Sequence, residues 1–141
     1  RDAYTKSLTE LARKLEVSSR LLFAGDCSDM PAAYMLADVV VNASTDPEAF
    51  GRTIVEAQAM RRMVIATDHG AARETVRDGE TGWRVKPGDA DALAVALDAA
   101  LDLPVEARLA TGAAARDFVA EHYSIAAMQS GNLAVYHELL G

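Results

Sequence analysis

Residues 46–56 read Asp-Pro-Glu-Ala-Phe-Gly-Arg-Thr-Ile-Val-Glu, and seven residues separate the two glutamates, Glu48 and Glu56. An apolar strand pattern over residues 38–43 ends just before this stretch, and a helical pattern over residues 51–60 begins inside it. The first amides of a helix have no partner within the helix and favour phosphate groups. A carboxylate one turn further along can hold a sugar diol. The stretch therefore predicts a strand, a loop and a helix that offer partners to both a phosphate and a sugar.

Strand and helix patterns alternate along the chain. The alternation predicts an α/β fold, a Rossmann-like parallel sheet flanked by helices. Asp29, Asp89 and Ser124 stand where a side chain can cap a helix. Short apolar strands are predicted at residues 21–24, 39–41, 63–66 and 83–85. The strand at residues 39–41 is expected to be buried, and the strand at residues 83–85 is expected at an edge of the sheet. Helices are predicted at residues 3–16, 30–36, 51–60, 71–76, 90–101, 105–122 and 125–140.

Three loops follow the carboxyl ends of predicted strands, at residues 25–30, 43–51 and 67–71. Ligands of open parallel sheets bind outside the carboxyl ends of the strands. We therefore expect these three loops to line one crevice.

The composition is that of one globular domain. The 141 residues are 50% apolar, and no apolar run reaches the roughly 18 residues of a membrane-spanning helix. The formal net charge of −7, with no basic cluster beyond the pair Arg61-Arg62, argues against nucleic acid and anionic lipid as partners. Cys27 is the single cysteine, which excludes an internal disulfide and fits a reducing compartment. The chain shows no signal peptide and begins with Arg1 rather than Met, so we expect a piece of a longer protein.

The start of the predicted helix is the first candidate site. The amides of Gly51, Arg52 and Thr53, at the positive end of the helix dipole, would bind a diphosphate, and a glycine lets the backbone approach it closely. Gly51 could equally be a flexible joint between loop and helix. The side chain of Arg52 would offset the charge of a leaving diphosphate, or it simply faces solvent.

Each glutamate has two interpretations. Glu56, on the second turn of the helix, would accept both hydroxyls of a ribose, or it would only stabilise the helix near its positive end. Glu48, in the preceding loop, would face a sugar, or it is a solvated acid after Pro47. Considered singly, each residue fits the second interpretation better.

Other polar loop residues have weaker claims. His69 could carry a proton, although a satisfied loop histidine is the more common case. Asp26, Cys27 and Asp29 could frame a base or simply form a turn. The spacing of four aspartates matches no metal-binding loop, so no metal site is predicted from Asp26, Asp29, Asp46 and Asp68.

Together these segments resemble the family-four retaining glycosyltransferases, whose fold is GT-B. The most specific segment is the pair Glu48 and Glu56 at its fixed spacing, and the match covers residues 20–101. As an ordered set the segments favour the binding roles for both glutamates that neither residue supports alone. The other segments, in the family's order, are Phe23-Ala24-Gly25, Asp29-Met30-Pro31, Ala37-Asp38-Val39-Val40-Val41, Val64-Ile65-Ala66-Thr67-Asp68-His69-Gly70-Ala71-Ala72-Arg73-Glu74, Asp78-Gly79-Glu80-Thr81-Gly82-Trp83 and Pro87-Gly88-Asp89.

The resemblance implies a nucleotide-diphosphate sugar as donor, transferred with retention of configuration and without a metal or other cofactor. In the family, the acid at Glu48 contacts the transferred sugar as the catalytic residue without acting as a nucleophile, and the acid at Glu56 holds the ribose. Backbone around Gly51 meets the diphosphate, and the loop at residues 25–30 encloses the base. With the loop candidates above, the predicted substrate-binding residues are Cys27, Met30, Phe50, Gly51, Arg52, Thr53, Glu56, His69 and Gly70.

Two departures from the family pattern matter. Gly70-Ala71 stands where many relatives have two glycines, so a close backbone approach there is expected to differ. The family's acceptor-binding domain, and a segment that supplies an Arg and a Lys to the diphosphate, are missing upstream. Residues 1–141 are therefore predicted to be a single, truncated donor-binding domain, a partial C-terminal half of a GT-B fold that does not turn over alone.

Partners and alternatives follow from the same resemblance. The last helix would lose the cover that relatives give it, so we expect a homodimer or a domain-swapped oligomer formed through Met128, Leu133, Tyr136 and Leu140. A sugar or glycolipid acceptor would bind the missing domain of a bacterial, cytoplasmic enzyme, membrane-associated in some relatives. Two alternatives remain: a nucleotide-sugar epimerase, which would lack the Phe-Gly junction before the helix acid, and a non-catalytic nucleotide-binding or interaction module.

Overall fold

A computed structural model describes residues 2–141. Three parallel strands form the sheet in the order β1-β2-β3: β1 (Val39–Asn42), β2 (Met63–Thr67) and β3 (Trp83–Val85). Val39 lies opposite Met63 in β2, and Ile65 in β2 lies opposite Trp83. The strand–helix alternation and the parallel sheet are confirmed.

Helices flank this sheet on both faces. Their bounds agree with the predicted ones to within a few residues, and the predicted caps at Asp29, Asp89 and Ser124 each accept a hydrogen bond from the amide three residues later. The α-helices of the described residues are α1 (Asp2–Lys14), α2 (Met30–Leu36), α3 (Arg52–Ala59), α4 (Ala72–Thr75), α5 (Ala90–Leu101), α6 (Val105–His122) and α7 (Ile125–Leu140).

The central strand β2 is buried along its whole length and divides the core in two. Its side chains alternate between the faces of the sheet. Val64 and Ala66 pack with α2, α3 and α4 on one face, whereas Met63 and Ile65 pack with β3 and α5 on the other. This arrangement holds α3 with its first residue at the carboxyl edge of β1 and β2.

Two predictions about strands are wrong. Residues 21–24 form no strand, and Leu22 is 86% exposed, because no strand within residues 2–141 pairs with this run. An apolar sequence alone does not make a strand without a neighbour to complete its hydrogen bonds. The strand at residues 39–41, expected to be buried, is β1 at an edge of the sheet, with Val41 37% exposed.

Helix α6 packs directly on α3. Phe118 and Val119 of α6 form a buried cluster with Val55 of α3. Near the other end of this contact, a Cβ placed on Gly112 would lie 2.4 Å from the carbonyl oxygen of Arg61, so a side chain there would push the two segments apart. Glycine at position 112 therefore sets how closely α6 approaches the end of α3.

Helix α7 buries none of its residues. The apolar side chains that suggested an oligomer, Met128, Leu133, Tyr136 and Leu140, are all more than half exposed. The oligomer itself stays a prediction.

Candidate functional site

The loops that follow β1 and β2 meet at the carboxyl edge of the sheet. The hydroxyl of Thr67 donates a hydrogen bond of 2.8 Å to the carbonyl of Ser44, and Nε2 of His69 donates one of 3.0 Å to the same oxygen. The amide of Ala71 donates to the carbonyl of Glu48 at 3.0 Å. These bonds fix the loop that carries Glu48 against the loop that carries His69.

Helix α3 begins at this junction without a side-chain cap. Gly51 has the left-handed conformation, with φ 71° and ψ 53°, and its carbonyl accepts from the amides of Ile54 and Val55. Glycine adopts this conformation without steric cost. The amides of Arg52 and Thr53 precede the first paired amide of the helix, and no described side chain caps them. The start of α3 can therefore receive an anion.

The carboxylate of Glu48 lies beside this helix start. Its Oε1 accepts a hydrogen bond of 3.2 Å from the side-chain amide of Asn42, at the end of β1. Its Oε2 lies 3.7 Å from the position that a Cβ on Gly51 would occupy. The strand end thus orients the acid, and the missing side chain of Gly51 leaves room between the acid and α3.

Gly70 allows the two loops to come this close. It has φ 51°, and a Cβ there would lie 2.6 Å from the carbonyl oxygen of Glu48 and 2.9 Å from its amide nitrogen. The close backbone approach that the resemblance led us to question is therefore made at Gly70, against the backbone of Glu48.

His69 is partly satisfied by the loop that carries Glu48. A carbonyl oxygen only accepts hydrogen bonds, so Nε2 carries the hydrogen that bonds Ser44, and in the neutral ring Nδ1 is an acceptor. Nδ1 is buried and has no partner among the described residues. The ring borders a small cavity next to Glu48 and Gly51. This placement combines the common interpretation, a satisfied loop histidine, with one nitrogen that still lacks a partner.

Glu56 is held by two different donors. The hydroxyl of Tyr34 donates to Oε2 at 3.0 Å, and the guanidinium of Arg52 donates to Oε1 through Nε at 3.1 Å and Nη2 at 2.8 Å. Burial, followed by the hydrogen bond to the Glu56 carboxylate, raises the pKa of Tyr34 above its usual value, so this hydroxyl keeps its proton and remains a donor. The carboxylate of Glu56, whose side chain is 35% exposed, is therefore oriented by hydrogen bonds within the protein.

A groove of about 450 Å³ opens beside Glu56. Met30 lies on its wall, together with Tyr34, Arg52 and Met60. Cys27 lies instead in a neighbouring depression with Asp26, and its thiol donates to the carbonyl of Asp29 at 3.3 Å. The structure thus brings Met30, but not Cys27, to the groove of Glu56.

The side chain of Phe50 points toward α6 and not into this groove. Its ring contacts Tyr123 edge to face, with 5.9 Å between centroids, and the hydroxyl of Tyr123 donates to the carbonyl of Glu74. Burial, and then the negative charge of Glu74, raises the pKa of Tyr123. The contact between the two rings holds the loop before α3 against the residue that ends α6, while Phe50 stays 48% exposed.

Three residues of this site were not predicted from the sequence: Tyr34, Asn42 and Ser44. Asn42 could have been found, because it is the polar residue that ends an apolar strand at the ligand-binding edge of a sheet. Tyr34 has no local signal, since it stands 22 residues before its partner.

Neither a metal centre nor a membrane span is found in the described part of the chain. No group of three or more His, Cys, Asp or Glu side chains there is arranged to hold a metal ion. None of the helices described above is both long and apolar enough to cross a bilayer.

Comparison with protein families gives a match over most of the chain. The family model of the glycosyl transferases of group 1 matches residues 2–118. A lipopolysaccharide core biosynthesis mannosyltransferase, LpcC of Rhizobium leguminosarum bv. viciae, is 36% identical over 125 residues, which are 89% of this chain and 35% of LpcC.

Solved structures match the fold closely. A glycosyltransferase from Rickettsia africae ESF-5 superposes with a TM-score of 0.91 at 37% identity, over 99% of this chain and 37% of that one. Anabaena HepE in complex with UDP and glucose superposes with a TM-score of 0.87 at 26% identity, over 96% of this chain and 37% of that one. The chain thus spans little more than a third of the length of each of these three relatives.

Proposed function

Because the chain belongs to the group 1 glycosyl transferases, we propose that residues 1–141 form the donor-binding domain of such an enzyme, with GT-B architecture. A nucleotide-diphosphate sugar would bind at the start of α3. The HepE structure in complex with UDP and glucose supports a nucleotide and a sugar as the ligands of this fold.

The placement of two glutamates about one uncapped helix start carries the proposal. The amides of Arg52 and Thr53 would bind the diphosphate, aided by the positive end of the α3 dipole. Glu48 lies on the side of Gly51, where a sugar joined to that diphosphate would extend. Glu56, one turn into the helix, borders the groove that would receive the nucleoside.

Each polar group then has a role in a retaining, metal-independent transfer. Glu48 would accept a hydroxyl of the transferred sugar through Oε2, since Oε1 is held by Asn42, and would form no covalent intermediate. His69 could receive a second hydroxyl at its unpartnered Nδ1. The amides at the start of α3 and the guanidinium of Arg52 would stabilise the charge that develops on the leaving diphosphate.

Turnover would need more protein than this chain. The chain spans little more than a third of its relatives, and we place acceptor binding in the remainder of such enzymes. The name of LpcC supports an acceptor in lipopolysaccharide core biosynthesis. Alone, residues 1–141 would bind donor without transferring its sugar.

Calorimetric titration with UDP, GDP and ADP tests the donor site. We expect saturable binding of one nucleotide, and Glu56→Ala should weaken it roughly 10- to 100-fold, because hydrogen bonds to a charged group are lost. Glu106→Ala is the matched control, since Glu106 lies in the first turn of α6 and is exposed. It should leave binding unchanged.

Two outcomes would contradict the proposal. Absence of binding to all three nucleotides by the folded chain would remove the donor site. Equal affinity of wild type and Glu56→Ala would place the nucleotide elsewhere and would favour a non-catalytic nucleotide-binding module on the same fold.

A further inference from the structure

We infer that Tyr34 is a positioning residue that makes this site selective for ribonucleotides, by fixing the carboxylate of Glu56 in the orientation that accepts the ribose hydroxyls. The inference rests on the proposed function, because it concerns the same nucleotide. It assigns a task to a residue of α2 that contacts Glu56 and lies outside the segment that forms the start of α3.

Tyr34 is built into the core. Its side chain is 6% exposed and packs in a buried cluster with Ile54 and Ala57 of α3 and with Val64 of β2. A ring packed on all sides has little rotational freedom. Its hydroxyl therefore presents a fixed donor to Oε2 of Glu56, 3.0 Å away.

The second donor to Glu56 is different in kind. The side chain of Arg52 is 81% exposed, and both of its contacting nitrogens bond Oε1. An exposed ion pair between neighbours on a helix is weak and exchanges readily. One oxygen of Glu56 is thus held by a buried hydroxyl, while the other is covered by a side chain that can leave.

This asymmetry decides which oxygen a ribose can use. A carboxylate oxygen has about two lone-pair sites, so Oε2 can accept one hydrogen bond besides that from Tyr34, whereas Arg52 fills both sites of Oε1. A diol entering the groove would displace Arg52 from Oε1, and Arg52 could then turn toward the diphosphate. The bond from Tyr34 would keep the plane of the carboxylate unchanged during this exchange.

The consequence is a preference for ribose that depends on Tyr34. If the hydroxyl of Tyr34 is removed, Glu56 can rotate with Arg52, and the ribose hydroxyls lose an acceptor held in place for them. A nucleotide without these hydroxyls does not use that acceptor. Tyr34→Phe should therefore weaken a ribonucleotide and leave its dideoxy counterpart almost unaffected.

The test compares UDP, GDP and ADP with their 2′,3′-dideoxy counterparts by calorimetry on wild type and Tyr34→Phe. For the nucleotide that binds most tightly, we expect Tyr34→Phe to weaken the ribonucleotide about 10-fold and the dideoxy form less than about 2-fold. Tyr4→Phe is the matched control, because it removes another tyrosine hydroxyl, from a residue of α1 that is 70% exposed. It should change neither affinity.

The outcomes separate this inference from the proposed function. If Tyr34→Phe weakens both forms equally, or weakens neither, the ribose preference is unchanged. Either result would overturn the inference alone, and equal weakening would mean a purely structural role for Tyr34. Wild type that binds none of the nucleotides would overturn the donor site, and the inference with it. In a Glu56→Gln background, Tyr34→Phe should no longer alter the ribose preference.

Discussion

Two helices begin near the carboxyl edge of the same sheet and are built in opposite ways. Helix α5 follows β3 and is capped by Asp89, whose carboxylate accepts a hydrogen bond of 2.9 Å from the amide of Ala92. Helix α3 follows β1 and has Gly51 at the same position, with no side-chain cap. The carboxylate of Asp89 already occupies the start of α5, whereas no side chain caps the start of α3.

The start of α5 contributes to the stability of the fold, whereas the start of α3 is available to bind a ligand. A side-chain cap typically contributes about 1 kcal/mol to stability. The start of α3 lacks this contribution. The loop before it is held instead by the close backbone contact between Gly70 and Glu48. We therefore expect substitutions near α3 to change ligand affinity, and substitutions near α5 to change only stability.

The largest effect is expected from Gly70→Ala, compared with Gly88→Ala. Both glycines have positive φ, but a Cβ on Gly88 meets nothing within 4 Å, whereas one on Gly70 would clash with the backbone of Glu48. Strain alone costs about 1–2 kcal/mol, and overpacking adds roughly 1–3 kcal/mol. Chemical denaturation should show Gly70→Ala as the more destabilised variant, and equal losses would refute the close contact.

Gly51→Asp would give α3 the carboxylate that α5 has. Because that charge would occupy the site proposed for the diphosphate, nucleotide affinity should fall at least about 100-fold in calorimetry. Gly51→Asn is the neutral control of nearly equal size, and asparagine also tolerates this backbone conformation. A similar loss in both variants would assign the effect to size and not to charge.

Asp89→Ala would remove the cap of α5. The free energy of unfolding should fall by about 1 kcal/mol, and the midpoint of thermal unfolding by about 4 °C. Nucleotide affinity should stay at the wild-type value. A loss of affinity comparable to that of Glu56→Ala would mean that the two helix starts do not act separately.

The smallest effect is expected from Arg52→Gln. The ion pair with Glu56 is exposed, so the free energy of unfolding should change by less than about 0.5 kcal/mol. Affinity for a nucleoside diphosphate should nevertheless fall about 3-fold, since a cation near the phosphates is removed. The corresponding nucleoside, which has no phosphate, should lose no affinity, because its ribose displaces Arg52 from Glu56 in the wild type.

Features set by neighbouring residues could be predicted from the sequence. The caps of α2, α5 and α7 depend on one side chain and an amide three residues away, and all three are confirmed. Glu48 and Glu56 could be placed because the junction of strand, loop and helix between them is equally local. Their roles toward a ligand stay predictions.

Features that depend on distant partners could not be predicted. Residues 21–24 have a strand composition, but whether they form a strand depends on a neighbour that the run itself does not encode. Tyr34 is one apolar residue of a short helix until the fold brings it to Glu56. In the same way, the aromatic residue of the quoted stretch, Phe50, packs on Tyr123, which lies more than 70 positions further along.

The contact between buried Gly112 and Arg61 links the proposed site to a distant part of the packing between helices. Moving α6 outward by the width of one methyl group would shift Phe118 and Tyr123, on which Phe50 and hence the loop before α3 rest. A mutational library restricted to crevice residues would miss this position, although it adjusts the crevice mechanically. Ligand affinity at the proposed site can thus depend on the spacing of two helices away from it.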